Sequence, residues 1–218
     1  HRQLFFKKDK AITINKGHNT AWYSHYEPID IRKELGLAED AFLIINVANN
    51  RKMKGIPYLL EAMNKIDSNA DTHLLLAGRD FDTEENKQII AKGNNQNRVH
   101  FLGFRSDVLN VVSACNAFVL SSLFGESITK SVIEAMSLAK ASVITDIPGN
   151  TELLENGKSG IVVPVKDPIK MGEAISYLYQ NKDACIAMGV AAKQYVETRL
   201  NTTQTVQKTK TMYENLLK

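Results

Sequence analysis

The sequence predicts a doubly wound α/β domain, a Rossmann-like six-stranded parallel sheet with helices on both faces. Three observations lead there. From residue 43 onward, short β-branched apolar runs alternate with longer stretches of helical period. The strand runs are apolar throughout, as befits strands covered on both faces. Each strand run is followed by a helical one, which calls for crossover connections and hence parallel pairing.

The strands are expected at Leu43–Val47, His73–Ala77, Val99–Leu102, Ala117–Leu120, Ser142–Thr145 and Gly160–Val163. Between them, helices are expected near Ile56–Ile66, Glu84–Lys92, Val108–Ala114, Lys130–Leu138 and Thr151–Leu154. Helices near Ile169–Gln180, Ala184–Thr198 and Thr205–Leu217 close the chain. Before residue 43 the pattern changes: INKGHNTAWY reads as a strand end running into a loop, and IRKELGL as a short helix. The expected organisation is therefore an interdomain linker over 1–40, the sheet domain over 41–198, and a terminal helix over 199–218. The opening HRQLFFKKDK has no methionine, and the chain is expected to be a fragment of something longer.

Composition narrows the function classes. Of 218 residues, 44% are apolar and 23% charged, ordinary for a globular protein with a real core. The net charge of +3 suits a small anionic ligand and lacks the concentrated basic stripe of a nucleic-acid binder. Cys115 and Cys185 have no metal-ligand spacing and are expected to be reduced. No apolar run approaches the ~20 residues that span a bilayer.

In such sheets ligands bind at the carboxyl ends of the strands, so the loops leaving the strands hold the candidates. The first strand ends in NVANNRKMKG, where Arg51 offers a planar fork for phosphate oxygens and Lys54 a point charge. An ordinary solvated basic loop is the alternative. Neither G-x-x-x-x-G-K-[ST] nor G-x-G-x-x-G is present. After the second strand, Gly78 either admits a ligand or merely turns the chain. After the third, Gly103 precedes Phe104, a flat ring able to lie beside a base. Asp107 is expected to cap the next helix, and His100 to be a packed or edge histidine.

The fourth strand leads into FGESITKSVIEAM. The helix should begin around Ser127 to Thr129, with first-turn N–H groups facing the cleft and Thr129, Lys130 and Ser131 beside them. Glu126 lies in the loop, eight positions before Glu134 inside the helix. A carboxylate accepts two hydrogen bonds at once, and the vicinal hydroxyls of a ribose are such a pair of donors. The plain alternative is a helix-dipole glutamate followed by a surface one. After the fifth strand, Pro148 and Gly149 turn the chain, and Asn150 or Thr151 is expected to cap the short helix at Thr151–Leu154.

Taken in order, RKMKG, LLLAG, VHFLGF, FGESITKSVIEAM and VITDIPGNTELLENGKSGIVV resemble the carboxyl-terminal, nucleotide-sugar-binding domain of a GT-B fold retaining glycosyltransferase. The similarity, over about residues 12 to 217, is to the large family numbered four, also called group 1. Each motif is weak alone, and their joint order is strong. The resemblance implies that Arg51 and Lys54 bind the donor diphosphate and stabilise the leaving group. It implies that Glu134 holds the ribose and Glu126 lies near the donor sugar, as the two acids of an E-x7-E motif. Backbone groups of Ser127, Ile128, Thr129 and Lys130 would meet sugar or phosphate, and Gly78, Gly103 and Phe104 would border the base.

Two departures stand out. Ala48 and Asn49 occupy the places of a common glycine-arginine pair, and Ser127 and Thr129 replace glycines that often follow the first glutamate. The implied reaction is hexosyl transfer from a UDP-, GDP- or ADP-sugar to an acceptor, with retention. No metal or other cofactor is expected, because cations fixed in the protein can stabilise the leaving diphosphate without one. The acceptor, whether sugar, lipid-linked or a small molecule, would bind an amino-terminal domain outside this chain, on which the last helix would pack. The isolated chain is then expected to bind donor without turnover. A nucleotide-sugar binding module and a GT-B epimerase are the alternatives. The resemblance points to polysaccharide or glycoconjugate synthesis in the cytoplasm, and leaves open peripheral association of the full enzyme with the inner face of the membrane.

Overall fold

A computed structural model describes residues 12, 14, 16–24, 26, 27, 29–93, 95–126 and 128–217. The opening decapeptide and Ser127 fall outside the described residues. Six parallel strands form one sheet in the order β3-β2-β1-β4-β5-β6. They are β1 (Phe42–Val47), β2 (Thr72–Ala77), β3 (Val99–Gly103), β4 (Ala117–Leu120), β5 (Ala141–Thr145) and β6 (Gly160–Val163). Every expected strand is present, with ends shifted by at most one residue.

The helices are α1 (Ile31–Glu34), α2 (Ile56–Met63), α3 (Glu84–Lys92), α4 (Val108–Ala114), α5 (Lys130–Ser137), α6 (Pro168–Gln180), α7 (Lys182–Arg199) and α8 (Thr202–Leu216). Local chemistry starts several of them. Thr83 caps α3 by accepting from Asn86 N–H, and Asp167 caps α6 by accepting from Lys170 N–H ahead of Pro168. Asn201 caps α8 through Gln204 N–H.

Alternate residues of β1 point to opposite cores. Phe42 and Ile44 join α2, α3 and α6 on one face, while Leu43 and Ile45 join α4, α5 and the second half of α7 on the other. Tyr23 and Ile31, from the stretch before the sheet, are buried in that second core. Cys115 and Cys185 are buried and unpaired, and burial pushes their thiols up to about 12 and about 11. The terminal helix α8 buries no residue and leaves Val206, Tyr213 and Leu216 exposed. Among the described residues, no helix is long and apolar enough to cross a membrane.

Three expectations are corrected. The helix at Thr151–Leu154 does not form. Asn150 is fully buried with its side chain bonded inward, so it cannot cap, and the segment runs as turns closed by Leu153 N–H to Asn150 O at 2.9 Å. The helix expected to reach Ile66 ends at Met63 and tightens into turns, and the Asn64 side chain then holds Ile89 O at 3.0 Å. Asp107 occupies the N-cap position of α4 but makes no capping bond, because its carboxylate is drawn to Arg105, with Nε to Oδ1 at 2.8 Å.

Candidate active site

The strand order reverses between β1 and β4, and in doubly wound sheets that reversal opens a crevice at the carboxyl ends. Here the two strands pair only at Ile44↔Ala117 and Ile45↔Phe118 and then separate. Beyond that point side chains replace the ladder. Asn46 Nδ2 donates to Val119 O at 2.9 Å, and Ser121 Oγ donates to Lys54 O at 2.8 Å. Leu123 N–H closes on Met53 O at 2.7 Å, so the loops after β1 and β4 are fastened together.

That fastening sets Lys54 against Glu126. Lys52–Lys54 make one 3-10 turn, after which Gly55 takes φ +62 and opens α2. The Lys54 ammonium is ion-paired with Glu126 Oε1, with 17% and 11% of the two side chains exposed. Ser122 Oγ donates to the same oxygen at 2.8 Å, and Thr129 Oγ1 reaches Oε2 at 3.3 Å. Burial alone would push the Glu126 carboxyl up. The bonds from Lys54, Ser122 and Thr129 outweigh it and hold the group below the usual carboxylate range.

Glu134 lies in the second turn of α5, 13% exposed and paired with Lys130 at 2.9 Å, an i,i+4 contact that raises the Lys130 pKa. Tyr23 flanks this pair: burial, then the Glu134 charge, push its phenol up. Its hydroxyl lies 3.2 Å from His18 Nδ1. Thr129 stands at the N-cap position of α5 without a capping bond, its hydroxyl being turned to Glu126 and Asn150. The half-buried Ile128 packs on the second core.

Arg51 is exposed and faces elsewhere. It lines a groove of ≈ 830 Å³ with Lys52, Tyr58, Leu123, Phe124 and Lys166, on the α2–α3 side. Lys54 is not among the residues lining that groove, and its N–H bonds to Arg51 O at 2.7 Å.

Beside β2, a smaller cavity of ≈ 240 Å³ is lined by Val47, Ala48, Asn49, Ala77, Gly78, Phe104, Arg105 and Val108. Phe104 is 68% exposed after Gly103 (φ +65), and the Arg79 guanidinium stacks on its ring, 5.3 Å from the centroid. Gly78 has a packing reason: a Cβ there would meet Ala48 O at 1.6 Å. Sequence reasoning missed Arg79, Ser122 and Asn150. Arg79 was legible as the residue after Gly78, but Ser122 and Asn150 are common loop residues whose importance lies only in what they touch.

Known proteins resemble this chain in sequence and in fold. The family model described as glycosyl transferases group 1 matches residues 29–195. N-acetyl-alpha-D-glucosaminyl L-malate synthase of Bacillus anthracis is 24% identical over 196 residues, which are 90% of this chain and 51% of that protein. The N,N'-diacetylbacillosaminyl-diphospho-undecaprenol alpha-1,3-N-acetylgalactosaminyltransferase of Campylobacter jejuni is 29% identical over 153 residues, 70% of this chain and 39% of that one.

Among solved structures, a glycosyltransferase from Rickettsia africae superposes with a TM-score of 0.86 at 21% identity, over 98% of this chain and 59% of that one. Anabaena HepE in complex with UDP gives 0.79 at 22%, over 91% and 56%. The chain spans about half the length of the curated relatives it matches. With the family model covering most of the sheet domain, this chain belongs to the group 1 glycosyl transferases.

Proposed function

We propose that this chain forms the donor site of a retaining glycosyltransferase acting on a nucleoside diphosphate sugar. The observation that carries the proposal is Lys54 and Glu126 facing each other at the switch point between β1 and β4, beside the amino terminus of α5. A diphosphate seated there meets the Lys54 ammonium and the first-turn N–H groups of α5, with Arg51 swinging in from its groove. As the bond to the anomeric carbon breaks, negative charge grows on the leaving phosphate, and these groups stabilise it where it develops. Glu126 orients the sugar or steadies positive charge at its anomeric carbon. Glu134 is placed to take the ribose hydroxyls once Lys130 gives way. The cavity beside Phe104 suits the base. HepE has been crystallised with UDP and with UDP-glucose, which supports a uridine donor here.

Calorimetry on the chain with UDP, GDP, ADP and uridine tests this reading. One nucleoside diphosphate should bind far better than its nucleoside. Arg51→Ala should weaken the diphosphate much more than the nucleoside, and equal losses for both would remove Arg51 from the phosphate site. No binding of any nucleoside diphosphate would refute the donor-site reading. Retention is tested in the whole protein by the anomeric configuration of the product.

A further inference from the structure

Among the described residues, the hydrogen bonds around Glu126 contain one proton too few. Thr129 Oγ1 carries a single proton, yet two acceptors stand 3.3 Å from it, Glu126 Oε2 and Asn150 Oδ1. The orientation of the Asn150 amide is fixed by its other end. Nδ2 donates to Thr145 O at 3.2 Å, and the flipped amide would set oxygen against oxygen there. Asn150 is fully buried, and Thr145 in turn bonds through its hydroxyl to Ser122 O, beside the Ser122 Oγ that holds Glu126. The hydroxyl of Thr129 therefore chooses between the carboxylate and a buried amide oxygen that has no other hydrogen-bond donor among the described residues.

This choice bears on how Glu126 can accept anything from a ligand. A buried carboxylate that trades a protein donor for a ligand donor strands the protein donor, unless that donor has a second acceptor within reach. We infer that Asn150 is a positioning residue: its Oδ1 accepts the Thr129 hydroxyl hydrogen bond when a hydroxyl of the donor sugar takes the vacated place on Glu126 Oε2. The inference rests on the donor-site reading above. The exchange breaks no covalent bond. The proton stays on Thr129, and only the hydroxyl rotates, while the β-branched side chain keeps its oxygen in place.

The test is the titration of the Glu126 carboxyl in the ligand-free chain, followed by carbon-13 NMR with labelled glutamate and assigned by the signal lost in Glu126→Gln. Thr129→Val removes a donor to the carboxylate, so Glu126 should titrate at higher pH. Thr129→Ser should restore the wild-type curve. Asn150→Leu removes the competing acceptor and leaves the proton wholly to Glu126, which should then titrate at lower pH than in the wild type. An asparagine that merely held the loop would do the opposite, since loosening weakens every bond to Glu126. A rise, or no change, in Asn150→Leu overturns the inference.

Should that variant not fold, the unsubstituted protein answers. Protonating Glu126 frees the Thr129 hydroxyl for Asn150, so the Asn150 side-chain carbonyl carbon should shift with the same midpoint. A carbonyl signal that stays still through the Glu126 titration overturns the inference. These measurements need no nucleotide. A failure to bind UDP would therefore remove the donor-site reading while leaving the shared proton intact.

Discussion

Glu126 would be a poor anion without Lys54, because burial favours its neutral form and the donated hydrogen bonds together with the Lys54 charge reverse that. The reverse matters for the proposed binding, since the Lys54 charge proposed to meet a diphosphate is already neutralised by Glu126. Replacing the carboxylate by an amide frees the ammonium. Glu126→Gln should therefore bind UDP more tightly than wild type in calorimetry, while sugar transfer by the whole protein falls by about tenfold or more. A variant that bound UDP as before and kept full transfer would remove Glu126 from the mechanism. Both residues were legible in the sequence as site candidates. Their pairing was not, because 72 positions separate them and only the fastening of two loops brings them together.

At the scale of elements, the site depends on β1 and β4 parting after Ile45↔Phe118 while their loops stay joined. Gly55 is the hinge of that arrangement. It adopts φ +62, and a Cβ there would meet Ser121 O at 2.3 Å. Gly55→Ala should destabilise the chain by about 1–3 kcal/mol in urea unfolding. It should also weaken UDP binding, because the displaced loop carries Lys54. Unchanged unfolding would show that the loops tolerate a wider spacing. The elements themselves were legible because six apolar runs of strand length leave little room for another reading. The segment after β5 was misread because Pro148, Gly149 and Asn150 form an equally good start for a helix or for a chain of turns. Asn150 bonding inward settles it for turns.

For the whole molecule, stability against acid depends partly on a site far from the crevice. His73 sits between Asp71 (Nε2 to Oδ1, 2.8 Å) and His100 (Nδ1 to Nε2, 3.0 Å) at the β2–β3 edge. Burial, and next the neighbouring His73, push the His100 pKa down from 6.5 to about 4. The fold thus prefers neutral His100, and the unfolded chain binds the extra proton first. Between pH 6.5 and 4 the His100 contribution is lost as pH falls. His100→Gln should flatten the fall in urea-unfolding stability over that window, and an unaltered slope would place the acid sensitivity elsewhere. Glu126, held below its ordinary value, adds a loss at still lower pH.

The sequence by itself determined the strand set, the parallel doubly wound class and the cluster of loops at one end of the sheet. Those follow from hydrophobic period and turn residues, which are local. Tertiary structure decided which side chains meet. It closed Lys54 onto Glu126, turned Arg51 into a separate groove, drew Asp107 away from its helix and buried Asn150 against Thr129. Each of these depends on the distance between loops at a strand-order reversal, and that distance is fixed by packing across the sheet rather than by neighbours in the chain.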